Sequence, residues 1–444
     1  LGAFPHPGAP AQPGGAPIQP SALGTEELPL TIAALQTETA QWRDRVLAAD
    51  VIAPATLPPF DNSQMDGYAV RSADLARATA EQPVTLRVRP AIVAGETGGA
   101  LGVGEAAPIM TGAPIPAGAD AVVPVEDVDP PRFIDDPVDD PADHPLVQAV
   151  DQRRNRDHPR IRVAAPVAPG TFVRATGTDV RRGELLLPAG ARLTPAALGV
   201  LASSGLPSVT VRRRPVVLLT VTGNEVRQPG TPLRPGQIHD ANSFSLWSAL
   251  VEAGTDVIVA PCESDESADL RAVLGDHAAG ADLVLTVGGV SAGSREVVRD
   301  VFEPLGVWFG AVAMQPGGPQ GLGLARIRDR DLPVVCFPGN PVSCLVSFEV
   351  FLRPLLRALA TGQPAADVER PRERRPLAEA LSSPRGKHQV RRGIVDADGR
   401  VRPVGGPSSH LLHAYARSTV LIHVPTETDR LEPGDEVEIW RIDG

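Results

Sequence analysis

At 444 residues the chain is too long for one hydrophobic core, and ordinary domain sizes lead to an expectation of three or four units. Its apolar content is unremarkable in amount and no apolar run has the length of a membrane span, so the composition points to a soluble globular protein. The net charge of -11 argues against a nucleic-acid partner, which calls for a basic patch, but leaves room for an anionic small molecule held by local amides and arginines.

Residues 1–27 are rich in Pro, Gly and Ala, with no charged or apolar leader pattern, and read as a disordered tail. Over 28–53 the spacing of Ile32, Leu35, Trp42, Val46 and Leu47 predicts an amphipathic helix that Pro54 stops. Asp66-Gly67 follows an extended, proline-rich approach, and on turn chemistry alone Asp66 is a turn residue. Short β-branched segments between 84 and 128, separated by Gly and Pro, predict a small all-β domain. Residues 129–160 turn Asp/Pro-rich and then Arg-rich, as a solvated mobile insertion would, with an interaction site as the lesser reading. A carboxylate, Asp179, then lies among glycines and threonines, and Thr194-Pro195 opens a helix that ends near Gly205.

Between residues 215 and 359, three continuous apolar runs each end in glycine, at 222–225 (Thr-Gly-Asn-Glu), 288–293 (Gly-Gly-Val-Ser-Ala-Gly) and 338–341 (Pro-Gly-Asn-Pro). Continuous rather than alternating hydrophobicity means strands covered on both faces, hence a parallel sheet between helices. Ligands in such sheets sit beyond the carboxyl ends of the strands, so the three turns should meet at one crevice. Asn340-Pro341 reads as a helix start whose amides suit a phosphate. Cys262, Cys336 and Cys344 have no metal-ligand spacing and read as small buried residues in a reducing compartment, and His239 and His410 as surface or packing residues. Residues 361–375 read as a charged linker, and the short alternating strands from Leu377 onward as a β-barrel.

Five stretches in order, 62–69 (Asn-Ser-Gln-Met-Asp-Gly-Tyr-Ala), 110–120, 222–225, 288–293 and 337–343, resemble the molybdopterin molybdenumtransferases, bacterial enzymes related to the E domain of gephyrin. The resemblance implies a cytoplasmic homodimer of multidomain α/β subunits with a central doubly wound, mostly parallel sheet. It divides the chain into the tail 1–27, an outer helical and dimerisation domain of 28–60 plus 165–211, an inserted β domain 61–164, a molybdopterin-binding domain 212–362 and a C-terminal β-barrel 363–444. It implies insertion of molybdate into adenylylated molybdopterin with release of AMP, assisted by Mg2+. The pterin dithiolene supplies the sulfur ligands for molybdenum, which agrees with the lack of protein thiol clusters. The matching catalytic positions are Asp66, Asp179, Glu225 and Asp265, with Glu225 and Asp265 as magnesium ligands. Bland readings stand beside these, with Glu225 as a dipole-stabilised first-turn acid and Asp265 as an N-cap. The positions matching the substrate crevice are Thr111, Gly223, Gly288, Gly289, Ser291, Gly293, Glu296, Pro338, Gly339 and Asn340, with Arg392 and Ser409 reaching in from the barrel.

The chain departs from the family where an Ile-Lys-Pro-Gly-Lys-Pro loop is usual. Here residues 314–319 read Met-Gln-Pro-Gly-Gly-Pro, without either lysine, leaving Gln315 to donate a hydrogen bond and Arg295 or Arg299 to supply charge. Asn224 stands where an aspartate is commoner, and Glu296 and Arg299 replace an aspartate and a lysine. Two alternatives follow: a gephyrin-like dimeric scaffold that binds a partner peptide with weak or no insertase activity, and a molybdopterin adenylyltransferase, against which the inserted β domain and the barrel count.

Overall fold

The computed structural model describes residues 23–37, 39–92, 95, 98–134, 159–291 and 296–443. Most of the expected tail and of the 129–160 insertion falls outside them. The chain forms two compact units, one of residues 50–189 with 194–208, the other of 1–49, 190–193 and 209–444.

In the first unit a six-stranded sheet runs in the order Ala121–Pro124, Gly67–Val70, Glu105–Ile109, Val84–Val88, Arg160–Val163 and Val128–Asp129. Its strands alternate between two cores. Tyr68 and Val70 join Leu86, Val88, Val123 and Ile161 on one face, while Ala69 joins Ala107, Ile109 and Val122 on the other. The buried Tyr68 hydroxyl donates to the Arg132 carbonyl at 3.0 Å and accepts from the Ile134 amide at 2.8 Å. Helix Pro195–Ser203 starts where the sequence places it, with the Thr194 hydroxyl accepting from the Ala197 amide at 3.2 Å.

The N-terminal expectations are corrected in two places. Thr25–Pro29 is a strand beside Ser208–Arg212, with Leu28 buried, so the last residues of the 1–27 tail are ordered. The helix expected over 28–53 shrinks to Ile32–Thr37 and a single 3-10 turn, Thr39–Trp42. Ile32 and Leu35 are exposed, and Val46 and Leu47 are buried instead by bridging to Arg192 and Val211. Apolar spacing alone did not distinguish these two ways of burying the same residues.

The second unit holds the central sheet, in the order Asp256–Val259, Val216–Val221, Leu283–Val287, Arg330–Phe337, Pro319–Ile327 and Trp308–Ala311. The first four strands are mutually parallel, and Pro319–Ile327 runs antiparallel to both of its neighbours, Arg330–Phe337 and Trp308–Ala311. Both faces are covered, as the continuous apolar runs require. Helices Ser267–His277 and Val297–Phe302 bury Leu270, Leu274, Val298 and Phe302 on one side. Helices Asn242–Glu252 and Pro341–Ser347 bury Leu246, Leu250, Cys344 and Leu345 on the other. The chain ends in a β-rich domain whose sheet runs Met314–Gln315, His388–Val395, Val420–Val424, Glu436–Arg441 and Arg372–Pro376. Part of the expected linker is therefore a strand: Arg372–Pro376 pairs antiparallel with Glu436–Arg441.

Candidate functional site

The three glycine turns do meet. Beyond the strand ends the parallel ladder continues through turn residues, the Thr222 amide donating to the Val287 carbonyl and the Gly288 amide to the Phe337 carbonyl, both at 3.0 Å. Gly288 has φ +95°, and a Cβ there would lie 2.9 Å from the Thr222 carbonyl oxygen, so only glycine lets the two turns close up. The third turn stacks on the second, since a Cβ on Gly339 would sit 3.4 Å from the Gly288 Cα. The result is a cleft of about 1020 Å³.

Gly223, Glu225, Asp265, Gly288, Gly289, Ser291, Glu296, Pro338, Gly339, Asn340 and Ser409, all singled out in the sequence, line this cleft. Asp265 Oδ1 accepts from the Asn224 amide at 3.3 Å, tying the Asp265 carboxylate to the first turn beside Glu225. The Ser291 amide donates to Glu296 Oε2 at 3.0 Å, so Glu296 braces the second turn. Ser409 offers its carbonyl to the Val342 amide at 3.0 Å, at the opening of helix Pro341–Ser347. Gly293 and Arg295 lie outside the described residues. Arg299 forms a two-pronged ion pair with Glu303, at 3.0 and 2.9 Å, and does not line the cleft.

Arg392 is placed differently from the expectation. It is fully buried, donates to the Gly406 carbonyl, and does not line the cleft. Arg391 donates to the Gly405 carbonyl at 3.1 Å, so the two guanidiniums fasten the start of the segment whose residues 407–410 do reach the cleft. Asp66, Thr111 and Asp179 belong to the other compact unit. There the Thr111 amide and hydroxyl donate to Asp66 Oδ1 at 2.7 and 2.8 Å, and these bonds hold the Asp66 carboxyl below its usual range. Asp179 is exposed, its amide donating to the Leu57 carbonyl at 3.1 Å.

Several cleft residues escaped the sequence reading. His239 and His410, expected at the surface or in packing, both line it, as do Asp240, Asn242 and Lys387. Asn242 Nδ2 donates to the Gly339 carbonyl at 2.8 Å, fixing the third turn from the start of a neighbouring helix. Asp240 Oδ1 accepts from the Ser243 amide at 2.9 Å, and that Asp-x-x-Ser capping pattern was a usable signal. Among the described residues, no group of three or more His, Cys, Asp or Glu comes together as a metal site.

Three family models cover nearly the whole chain: "MoeA N-terminal region (domain I and II)" at residues 20–205, "Probable molybdopterin binding domain" at 219–358 and "MoeA C-terminal region (domain IV)" at 374–442. A molybdopterin molybdenumtransferase 2 of Mycobacterium tuberculosis is 42% identical over 409 residues, covering 90% of this chain and 93% of its own. The chain belongs to the molybdopterin molybdenumtransferase family. A second member, from Synechococcus elongatus, is 35% identical over 419 residues, which cover 93% of this chain and 95% of its own. A crystal structure of a molybdopterin biosynthesis protein from Pyrococcus horikosii superposes with a TM-score of 0.70 at 30% identity, covering 95% of both chains. As a member of this family the protein is a transferase, with the multidomain α/β organisation and β-rich C-terminal domain of its relatives.

Proposed function

We propose that the protein inserts molybdate into adenylylated molybdopterin, releasing AMP, in a magnesium-dependent reaction of molybdenum cofactor biosynthesis. The observation that carries this reading is the cleft where three glycine turns converge at the carboxyl ends of parallel strands, the place such sheets bind phosphorylated ligands. Gly223, Gly288 and Gly339 keep these turns bare of side chains, so that a phosphate can approach the backbone closely, and Asn242 keeps the third turn in place. Glu225 and Asp265 fit a magnesium ion, because this cation takes one or two carboxylates and fills its shell with water and phosphate oxygens. Bound there, magnesium would neutralise charge on the phosphoanhydride. Asp66 and Asp179 are the further catalytic candidates.

The reading extends to a cytoplasmic homodimer. Three buried free thiols suit a reducing compartment, and no described helix is long and apolar enough to cross a membrane. Phe244, Trp247 and Val251 lie exposed on one face of helix Asn242–Glu252, a surface suited to a second subunit. Residues 28–60 plus 165–211 would serve dimerisation, and the C-terminal sheet would close as a barrel. The scaffold alternative rests on the lysine-free loop 314–319 and on the length of the 129–160 insertion.

The test is conversion of adenylylated molybdopterin to molybdenum cofactor and AMP by purified protein with magnesium and molybdate. Wild type turns over, and Glu225→Ala abolishes turnover while sedimentation and circular dichroism stay unchanged. Turnover by Glu225→Ala at the wild-type rate removes the carboxylate site. An inactive wild type that binds pterin and captures a peptide partner favours the scaffold, and ATP-dependent adenylylation favours the adenylyltransferase.

A further inference from the structure

Lys387 is the one lysine in the 444 residues. Among the described residues lining the cleft it is also the one Lys or Arg, facing a set of acids that comprises Glu225, Asp240, Asp265 and Glu296. A concave site with four carboxylates repels an anion unless positive charge is brought in. The loop 314–319 brings none.

Lys387 enters from the neighbouring sheet at the base of that loop. It directly precedes strand His388–Val395, whose first two residues pair in parallel with Met314 and Gln315. The His388 amide donates to the Ala313 carbonyl at 2.8 Å, and Gln389 Nε2 donates to Gln315 Oε1 at 2.8 Å, so the strand and the loop are locked in register. The turn before Lys387 is fixed as well. Gly386, at φ +82°, donates its amide to the Thr426 carbonyl at 2.7 Å. Lys387 itself is exposed, and its ammonium has no hydrogen bond or ion pair with any described residue. A rigid base thus carries a long flexible stem ending in three unused donors. An exposed lysine is ordinarily a solubilising residue, but of the 42 lysines and arginines in this chain all the others are arginine, and the one side-chain ammonium lies at the cleft.

We propose that Lys387 is the anion anchor of the cleft, supplying from the C-terminal sheet the cation that the 314–319 loop lacks. Resting on the function proposed above, this assigns Lys387 to an oxyanion of the substrates, either a phosphate group or molybdate. The experiment is calorimetric titration of the full-length protein with AMP and, separately, with inorganic molybdate, for wild type, Lys387→Met and Lys387→Arg. Lys387→Met is expected to weaken binding of at least one probe by about 10- to 100-fold, the range for one charge-assisted hydrogen bond, with Lys387→Arg close to wild type. A loss confined to AMP assigns the ammonium to phosphate, and one confined to molybdate assigns it to the metal oxyanion. Thermal unfolding midpoints equal to wild type exclude a folding defect. The proposal is overturned if Lys387→Met binds both probes as wild type does, if Lys387→Arg loses as much as Lys387→Met, or if wild type binds neither probe. Catalysis is read separately: an inactive wild type whose anion binding still depends on Lys387 overturns the proposed reaction and leaves the anchor standing.

Discussion

Asp66 and Thr111 stand 45 positions apart and act as one unit, a carboxylate gripped by both the amide and the hydroxyl of a single threonine. Asp61 and Thr176 repeat the arrangement, with bonds of 2.7 and 2.8 Å. The amide is the larger cause of the lowered Asp66 pKa and the hydroxyl the next. A carboxyl depressed in the folded state adds stability above its unfolded pKa, and that stability is lost as pH falls through the folded value. Thr111→Val leaves the amide and removes the hydroxyl, so the Asp66 pKa should rise toward the ordinary value near 3.9 without reaching it. A carboxyl-carbon NMR titration reads this directly, and an unshifted curve would mean the hydroxyl bond does not form in solution. From sequence each residue drew attention by its own motif, but their partnership crosses from one motif to the other and leaves no local trace.

At the scale of elements, the helical stretch that opens at Pro341 runs through a π turn at Phe348–Leu352 into helix Arg353–Thr361. That turn presents Glu349 to Arg370, whose Nε and Nη2 each donate to it at 2.9 Å, both residues being about 5% exposed. Glu252 adds a further contact to Arg370 at 2.8 Å. Removing Glu349 takes the two-pronged partner from a buried guanidinium and leaves it only the half-exposed Glu252, so Glu349→Ala should destabilise the protein by about 3 kcal/mol in urea unfolding, the lower end for breaking a buried pair. A loss under 1 kcal/mol would mean that water reaches the pair. The charge run at 369–375 looked like a solvated linker because charges usually are solvated. Arg370 is the one buried residue of that run, and its burial depends on a glutamate 21 residues upstream. The parallel strands and their glycine turns were legible for the opposite reason, since burial on both faces and tight turning are written into consecutive residues.

Across the whole molecule, the central sheet and the C-terminal sheet share a core. Val342 and Val346, on a helix that covers the central sheet, and Met314, on the short strand that the same domain lends to the C-terminal sheet, pack with Val390, Leu421 and Trp440. Ending the chain at residue 362 would uncover the first three and leave the Met314–Gln315 strand without its partner. The shortened protein should aggregate or bind a hydrophobic dye, whereas a monodisperse, cooperatively unfolding product would show that the shared core is dispensable. The sequence made the two domains visible as a change of pattern from continuous to alternating hydrophobicity. The apolar seam between them was not visible, because its residues are counted equally well in either core. Lys387, too, carried no local pattern; its signal was its solitude in the composition.

That solitude has a practical side. Amine-reactive reagents have a single side chain to modify in this chain, and it stands at the cleft. A fluorophore attached through an amide would therefore report from the cleft, and coupling the protein to a surface through its side-chain amine would obstruct the cleft on every molecule so attached.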